Sequence, residues 1–325
     1  MTQIDLDFID QPKHARPVRR LTVLTVLAQQ FDKALLKAKR ALGWREKMLI
    51  GSTELILSPG HTLALNQRHH QLYDRFLPHL ARSLEPDSMI IDVGANCGDT
   101  LAAMHATNPT LRFVAIEPHD EYYALLEHNV SKLSAKNPFK THLVKTLVGC
   151  SSDGMTLVQS GGTARLVFDP GTPGAIRIRK LDEIIDTLGI DQVRVLKSDV
   201  DGFDFDVLDS SQEVLTRMQP IIFFEAQIDH SFQRQGFAKT LATLERLGYS
   251  HWVLFDNFGS VALRTDSRDV VDQLIDYTWQ KRNATPWRTI YYFDSLSFTA
   301  TDCTFVGDIV KAYENAAADV GSTSP

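Results

Sequence analysis

The stretch Met89-Ile90-Ile91-Asp92-Val93-Gly94-Ala95-Asn96-Cys97-Gly98-Asp99 restricts the fold of this chain more than any other. Apolar residues run into an acid, then a glycine turn, then the helix-forming segment Thr100 to Ala106. The block therefore predicts a strand, a tight loop and a helix N-terminus. Glycine at 94 and 98 permits positive φ and lets the backbone come close to a ligand, while the free N–H groups of the following helix favour a negatively charged group. A nucleotide-type pocket follows from these two properties.

Strand-like and helix-like segments alternate from here on, which predicts a parallel sheet with right-handed crossovers. Leu111 to Ile116 is the second strand and ends at Glu117-Pro118. An acid at that tip can take both hydroxyls of a ribose, the alternative being a surface glutamate after a tight turn. The loop spells Asp-Val-Gly-Ala-Asn-Cys-Gly instead of Gly-x-Gly-x-x-Gly, a spacing that favours S-adenosylmethionine over a dinucleotide. Asp120 is expected to cap the next helix.

Thr141 to Val148 reads as the third strand, closing at Gly149 to Gly154, where Ser151 or Asp153 either meets the adenine or only shapes the turn. Met155 to Val158 and Ala164 to Phe168 then read as a β-hairpin, and Arg177, Arg179 and Lys180 near it either meet a phosphate or acidic sugar or are ordinary surface charges. A second acid-rich strand end is Val193 to Gly202, in which Lys197, Asp199 and Asp201 crowd together and can perturb one another's ionisation. Ile221 to Glu225 is a fifth strand finishing in another acid. A helix over Ser231 to Leu247, a hairpin around Asp256 to Gly259, a helix over Val270 to Lys281 and a last strand at Thr289 to Phe293 complete the pattern, with a disordered tail from Asn315.

Ahead of the glycine loop, residues 1 to about 17 are expected to be loosely ordered. Leu21, Leu24, Leu27, Phe31, Leu35 and Leu42 recur near helical spacing among basic residues; such a helix packs on its own domain or a partner copy, or lies on a membrane surface. Glu46 to Leu57 reads as strand, Thr62 to Leu65 as a segment pairing back, and Leu72 to Leu80 as a short helix, with Tyr73, His69 and His70 there either covering a site or serving as ordinary surface residues. The divisions are an accessory segment over 1–85, a catalytic domain over 86–314 and a tail over 315–325.

The 325 residues suffice for a large core, and 43% hydrophobic with 23% charged residues is ordinary for a globular protein. A net charge of −6 argues against general nucleic-acid binding. No apolar run approaches the roughly 20 residues of a membrane span, and the N-terminus makes a poor signal peptide. Cys97, Cys150 and Cys303 are scattered without zinc or disulfide spacing, which fits a reducing cytoplasm.

Ile91-Asp92-Val93-Gly94-Ala95-Asn96-x-Gly98, Glu117-Pro118, Leu181-Asp182-Glu183, Lys197-Ser198-Asp199-Val200-Asp201-Gly202 and Phe224-Glu225, in that order, resemble the FkbM family of S-adenosylmethionine-dependent methyltransferases. The resemblance implies an α/β Rossmann-like class I methyltransferase fold: a seven-stranded, mostly parallel sheet with helices on both faces, here with an N-terminal helix and strand layer and a β-hairpin insertion. It implies S-adenosylmethionine as cofactor, and methyl transfer to a hydroxyl on a sugar of a polysaccharide or lipopolysaccharide, or on a natural product. Asp92, Gly94, Asn96 and Gly98 would hold the methionine end and Glu117 the ribose; Asp153 is added for the base. Asp199 and Asp201 would face the methyl group, although the family usually shows glutamate where this chain has Asp201.

His230 and His119 are rivals to Asp199 for the proton, since neutral imidazole suits pH 7. Asp199, Asp201 and Glu225 offer oxygens to a divalent cation, but strand-tip acids also occur without one, and no metal is expected. An NAD-dependent nucleotide-sugar oxidoreductase or epimerase is the competing enzyme; its Tyr-x-x-x-Lys spacing occurs at Tyr277 and Lys281 but falls late in the chain. The remaining alternative is an inactive S-adenosylmethionine-binding module that recruits a glycan-synthesis partner, or a second copy, through its N-terminal helix.

Overall fold

The computed structural model describes residues 2–4, 23–135, 139–150, 155–160, 163–168, 178–281 and 290–322. An N-terminal layer holds β1 (Thr2–Ile4), α1 (Val23–Ala41), the hairpin β2 (Lys47–Ile50) and β3 (Thr53–Ile56), then α2 (Leu63–His69) and α3 (Phe76–Arg82). Thr62 to Leu65 does not pair back as a strand. It opens α2, and Asn66 N donates to Thr62 O at 2.8 Å. The apolar residues of α1 are not packed inward throughout, because Phe31 and Leu35, with Leu42 and Trp44 just beyond the helix, are exposed.

The alternating core follows as β4 (Met89–Val93), α4 (Asp99–Thr107), β5 (Arg112–Ile116), α5 (Asp120–Ser134) and β6 (Lys140–Val144). Asp120 is the first residue of α5 and His119 its N-cap. The expected third strand is broken at Lys145-Thr146. Its end, β7 (Leu147–Val148), leaves the main sheet to pair in parallel with β10 (Ile178–Arg179). Between these lies the predicted hairpin, β8 (Met155–Ser160) against β9 (Thr163–Phe168). Next come α6 (Leu181–Thr187), β11 (Val195–Ser198), α7 (Asp204–Asp209), α8 (Gln212–Arg217), β12 (Ile221–Ala226) and α9 (Ser231–Arg246).

The chain finishes with β13 (Tyr249–Asp256), β14 (Val261–Thr265), α10 (Arg268–Lys281), β15 (Phe293–Thr299) and α11 (Cys303–Ser322). The last strand thus starts where the sequence placed its end. The tail expected to be disordered is helical to Ser322, because Ala316, Ala317 and Ala318 are strong helix formers that continue α11.

Eight strands form the main sheet in the order β14-β13-β15-β12-β11-β4-β5-β6. β15 runs antiparallel between β12 and β13, and β14 is antiparallel to β13, while β4, β5, β6, β11 and β12 are mutually parallel. This is the expected Rossmann-like class I methyltransferase architecture with one strand more than the seven expected. Alternate strand residues serve opposite faces. Ile90, Phe113, Val195 and Ile221 pack with α3, α4, α5 and α11, whereas Ile91, Val114, Leu196 and Ile222 pack with α6 to α10. The sheet is therefore buried on both sides, and strand order reverses between β4 and β11, opening a crevice at their carboxyl ends.

Candidate active site

At that reversal point β4 and β11 pair so that Asp92 stands beside Lys197. Asp92 is fully buried, and Lys197 Nζ donates to its Oδ1 at 2.8 Å while lying 3.6 Å from Asp199 Oδ2. Burial opposes the lysine's charge, yet Asp92 and Asp199 together hold its pKa above the ordinary value. The chain then turns at Gly94, whose φ is +79°; a Cβ there would lie 2.1 Å from the Asp199 carbonyl oxygen. Only glycine allows that approach. Asn96 also takes a positive φ of 47°, and Gly98, at +82°, caps α4.

Hydrogen bonds tie this loop to β5. The Gly94 and Ala95 N–H groups both donate to Ile116 O at 3.0 Å, Asn96 N donates to Glu117 Oε2 at 3.0 Å, and His119 N to Glu117 Oε1 at 2.9 Å. Glu117 is 4% exposed, and burial pushes its pKa up to about 7 despite the two N–H donors. Each of its oxygens keeps a lone pair for a further donor.

A cavity of about 260 Å³ opens over the loop. It is lined from the β4 and β5 ends by Gly94, Ala95, Asn96, Asp99, Thr100, Glu117 and Pro118, from the β11, β12 and β15 side by Asp199, Asp201, Phe223, Glu225, Tyr292 and Asp294, and by the segment Leu72 to Leu77. Glu225 is 7% exposed and its Oε1 has no hydrogen-bond partner. Burial first, then the neighbouring Asp199, pushes the Glu225 carboxyl well above the usual range, and Asp294 is shifted the same way for the same reasons. Asp204 accepts a 2.6 Å hydrogen bond from Ser198, and its pKa is raised by burial to about 7.

Of the residues singled out in the sequence, Gly94, Asn96, Glu117, Asp199 and Asp201 line this cavity, whereas Asp92 and Gly98 lie behind its lining and shape it. His230 is a correction. It is the N-cap of α9, its N–H donates to Gln233 Oε1 at 2.8 Å, its ring stacks on Phe232, and it takes no part in the cavity wall. His119 is likewise outside the lining, packed against Tyr122. Tyr277 and Lys281 lie on α10 with the ammonium over the ring, and neither lines this cavity. Asp153, Ser151 and Arg177 lie outside the described residues.

Among the described residues the metal-ligand types that come within 4.8 Å of one another are His61, Cys97 and Asp99. The Cys97 thiol of that trio is fully buried, and burial raises its pKa well above the ordinary value. Sequence reasoning missed His61, Asp74, Tyr292 and Asp294 in the wall. The one available signal was the acid Asp294 beside the apolar Phe293.

Residues 92–250 match the family model described as Methyltransferase FkbM domain. No curated protein matches the chain. Solved structures similar to it include the METTL16 MTase domain, at 9% identity and a TM-score of 0.43, covering 83% of this chain and 81% of that one. A precorrin-6y C5,15-methyltransferase from Geobacter metallireducens is 13% identical, with a TM-score of 0.35 and coverage of 70% and 88%. An O-methyltransferase from Thermotoga maritima is 15% identical, with a TM-score of 0.37 and coverage of 70% and 64%.

Proposed function

Starting from a chain that carries a methyltransferase FkbM domain over residues 92–250, we propose that it transfers the methyl group of S-adenosylmethionine to a hydroxyl, on a sugar of a polysaccharide or lipopolysaccharide or on a natural product. The observation that carries the cofactor is the pairing of Gly94, where a Cβ would strike the Asp199 carbonyl oxygen, with Glu117 at the next strand tip. A backbone cradle and an acid with spare lone pairs suit the two ends of that molecule. When bound, S-adenosylmethionine supplies a methyl group already activated on a sulfonium.

The chain's residues do the rest. The backbone of Gly94 to Asn96 holds the methionine end, Glu117 takes the ribose diol, and the buried Lys197–Asp92 pair keeps β4 and β11 in register beneath them. Asp199, whose side chain is 51% exposed, aligns the acceptor hydroxyl and receives its proton as the new O–C bond forms, passing it on to water. Alignment is the larger contribution, about 7–11 kcal/mol, against roughly 10²–10⁴-fold for the base. Asp201 stands at the same mouth with a positive φ of 52° and serves orientation.

The test is release of S-adenosylhomocysteine on incubation with S-adenosylmethionine and a panel of hydroxylated acceptors. Turnover with at least one acceptor, lost in Asp199→Asn, supports the reading. Transfer to amines alone would move the assignment to nitrogen.

A further inference from the structure

Glu225 and Asp294 face each other across neighbouring antiparallel strands, β12 and β15. Residues so paired point to the same face with Cβ atoms about 4.5–5.5 Å apart, and like charges there are destabilising. The pair on one side is an ordinary apolar contact, Phe223 against Leu296, and the same face continues into the core. An apolar pair at 225 and 294 would extend that core, so the two acids require another explanation.

Both line the cavity, and Glu225, more than nine-tenths buried, presents an Oε1 with no hydrogen-bond partner. Around them stand Tyr73, Phe223 and Tyr292, whose faces attract cations, together with Asp74, Asp199 and Asp201. Lys197 lines the same cavity but is engaged with Asp92 and Asp199, and Arg75 lines it from the segment Leu72 to Leu77. The cofactor reading rests on β4 and β5. At a strand spacing of about 4.8 Å, β12 is roughly 10 Å and β15 roughly 14 Å from β4, on the side away from Glu117. These acids therefore belong to the acceptor.

We propose that Glu225 and Asp294 form an ammonium-binding subsite, so that the acceptor carries a protonated amine beside the hydroxyl that is methylated. Burial and Asp199 hold these two carboxyls toward their neutral form; a cation placed between them favours their ionised form, satisfies the Glu225 oxygen and gains the faces of the surrounding rings. A neutral polyol supplies no such charge. The same acids keep the amine protonated and hence without a free lone pair, so it anchors and the hydroxyl reacts. Acceptors bearing phosphate or carboxylate at this position are excluded.

This inference rests on the methyltransferase reading, and the experiment separates the two. Full-length protein is first titrated with S-adenosylhomocysteine, then, saturated with it, with D-glucosamine and with D-glucose, which differ by one ammonium in place of a hydroxyl. Glucosamine is expected to bind about tenfold or more tighter, the scale of a hydrogen bond to a charged group. Glu225→Gln and Asp294→Asn are expected to remove that preference and leave the affinity for S-adenosylhomocysteine unchanged. Equal affinity for the two sugars, binding of neither, or a preference that survives both substitutions overturns the subsite. Failure of S-adenosylhomocysteine itself to bind overturns the function and not this subsite alone, and the sugars are then compared on the protein without it.

Discussion

Lys197 on β11 reaches across to Asp92 on β4 with an Nζ–Oδ1 distance of 2.8 Å, and both side chains are buried at the point where strand order reverses. The pair fixes the two strands whose ends carry the glycine loop and Asp199. A buried charge left without its partner is strongly unfavourable, whereas removing both charges together is far less so.

Lys197→Met is accordingly expected to lower stability by about 3–5 kcal/mol. The double variant Asp92→Asn with Lys197→Met is expected to recover part of that loss. Denaturant unfolding of the four proteins in this cycle checks it, and strictly additive losses would contradict a direct pair.

Gly94 and Gly189 share a positive φ, +79° and +64°, but only Gly94 faces a neighbour that a Cβ would strike. Gly189→Ala should cost about 1 kcal/mol, the conformational cost alone. Gly94→Ala should cost clearly more and abolish cofactor binding, because the loop must move off Asp199. Thermal unfolding and cofactor titration of both variants make the comparison.

Glu117 gives a pH signature. Its carboxyl is raised from the ordinary 4.5 to about 7 by burial. The folded protein therefore holds this proton more tightly than the unfolded chain, and the group's contribution to stability, full below about pH 4.5, is lost as pH rises through 7. Glu117→Gln is expected to flatten that slope and stabilise the protein at neutral pH while weakening S-adenosylmethionine binding about tenfold or more. A variant with unchanged affinity would remove Glu117 from the ribose site.

Asp199→Asn should spare cofactor binding and reduce turnover roughly 10²–10⁴-fold. His230→Ala, away from the cavity wall, should leave turnover intact and cost at most about 1 kcal/mol of helix capping. Steady-state kinetics and calorimetry on the two variants separate chemistry from binding, and a turnover loss in His230→Ala would restore it as a candidate base.

The β4 loop and the acids at strand tips were legible because each depends on local chemistry: glycine where φ is positive, an apolar run ending in a carboxylate. β15 was not. Ser295 and Ser297 are fully buried within it, 3.3 Å apart by their hydroxyls, and interrupt the apolar signal by which a central strand is recognised. Asp294 was missed with it, since its importance lies in standing opposite Glu225, a register that only the sheet supplies. His230 was misread for the related reason that proximity to a strand end in sequence placed it on a helix cap and not at the cavity. The third strand splits because Leu147 and Val148 pair with Ile178 and Arg179, a partner strand remote in sequence.

Calorimetric titration of the purified protein with S-adenosylmethionine and, separately, with NAD shows which of the two the glycine loop holds. Micromolar binding of S-adenosylmethionine, lost in Gly94→Ala, and no binding of NAD are expected. Binding of NAD alone would contradict this, because the loop around Gly94 would then be serving a dinucleotide.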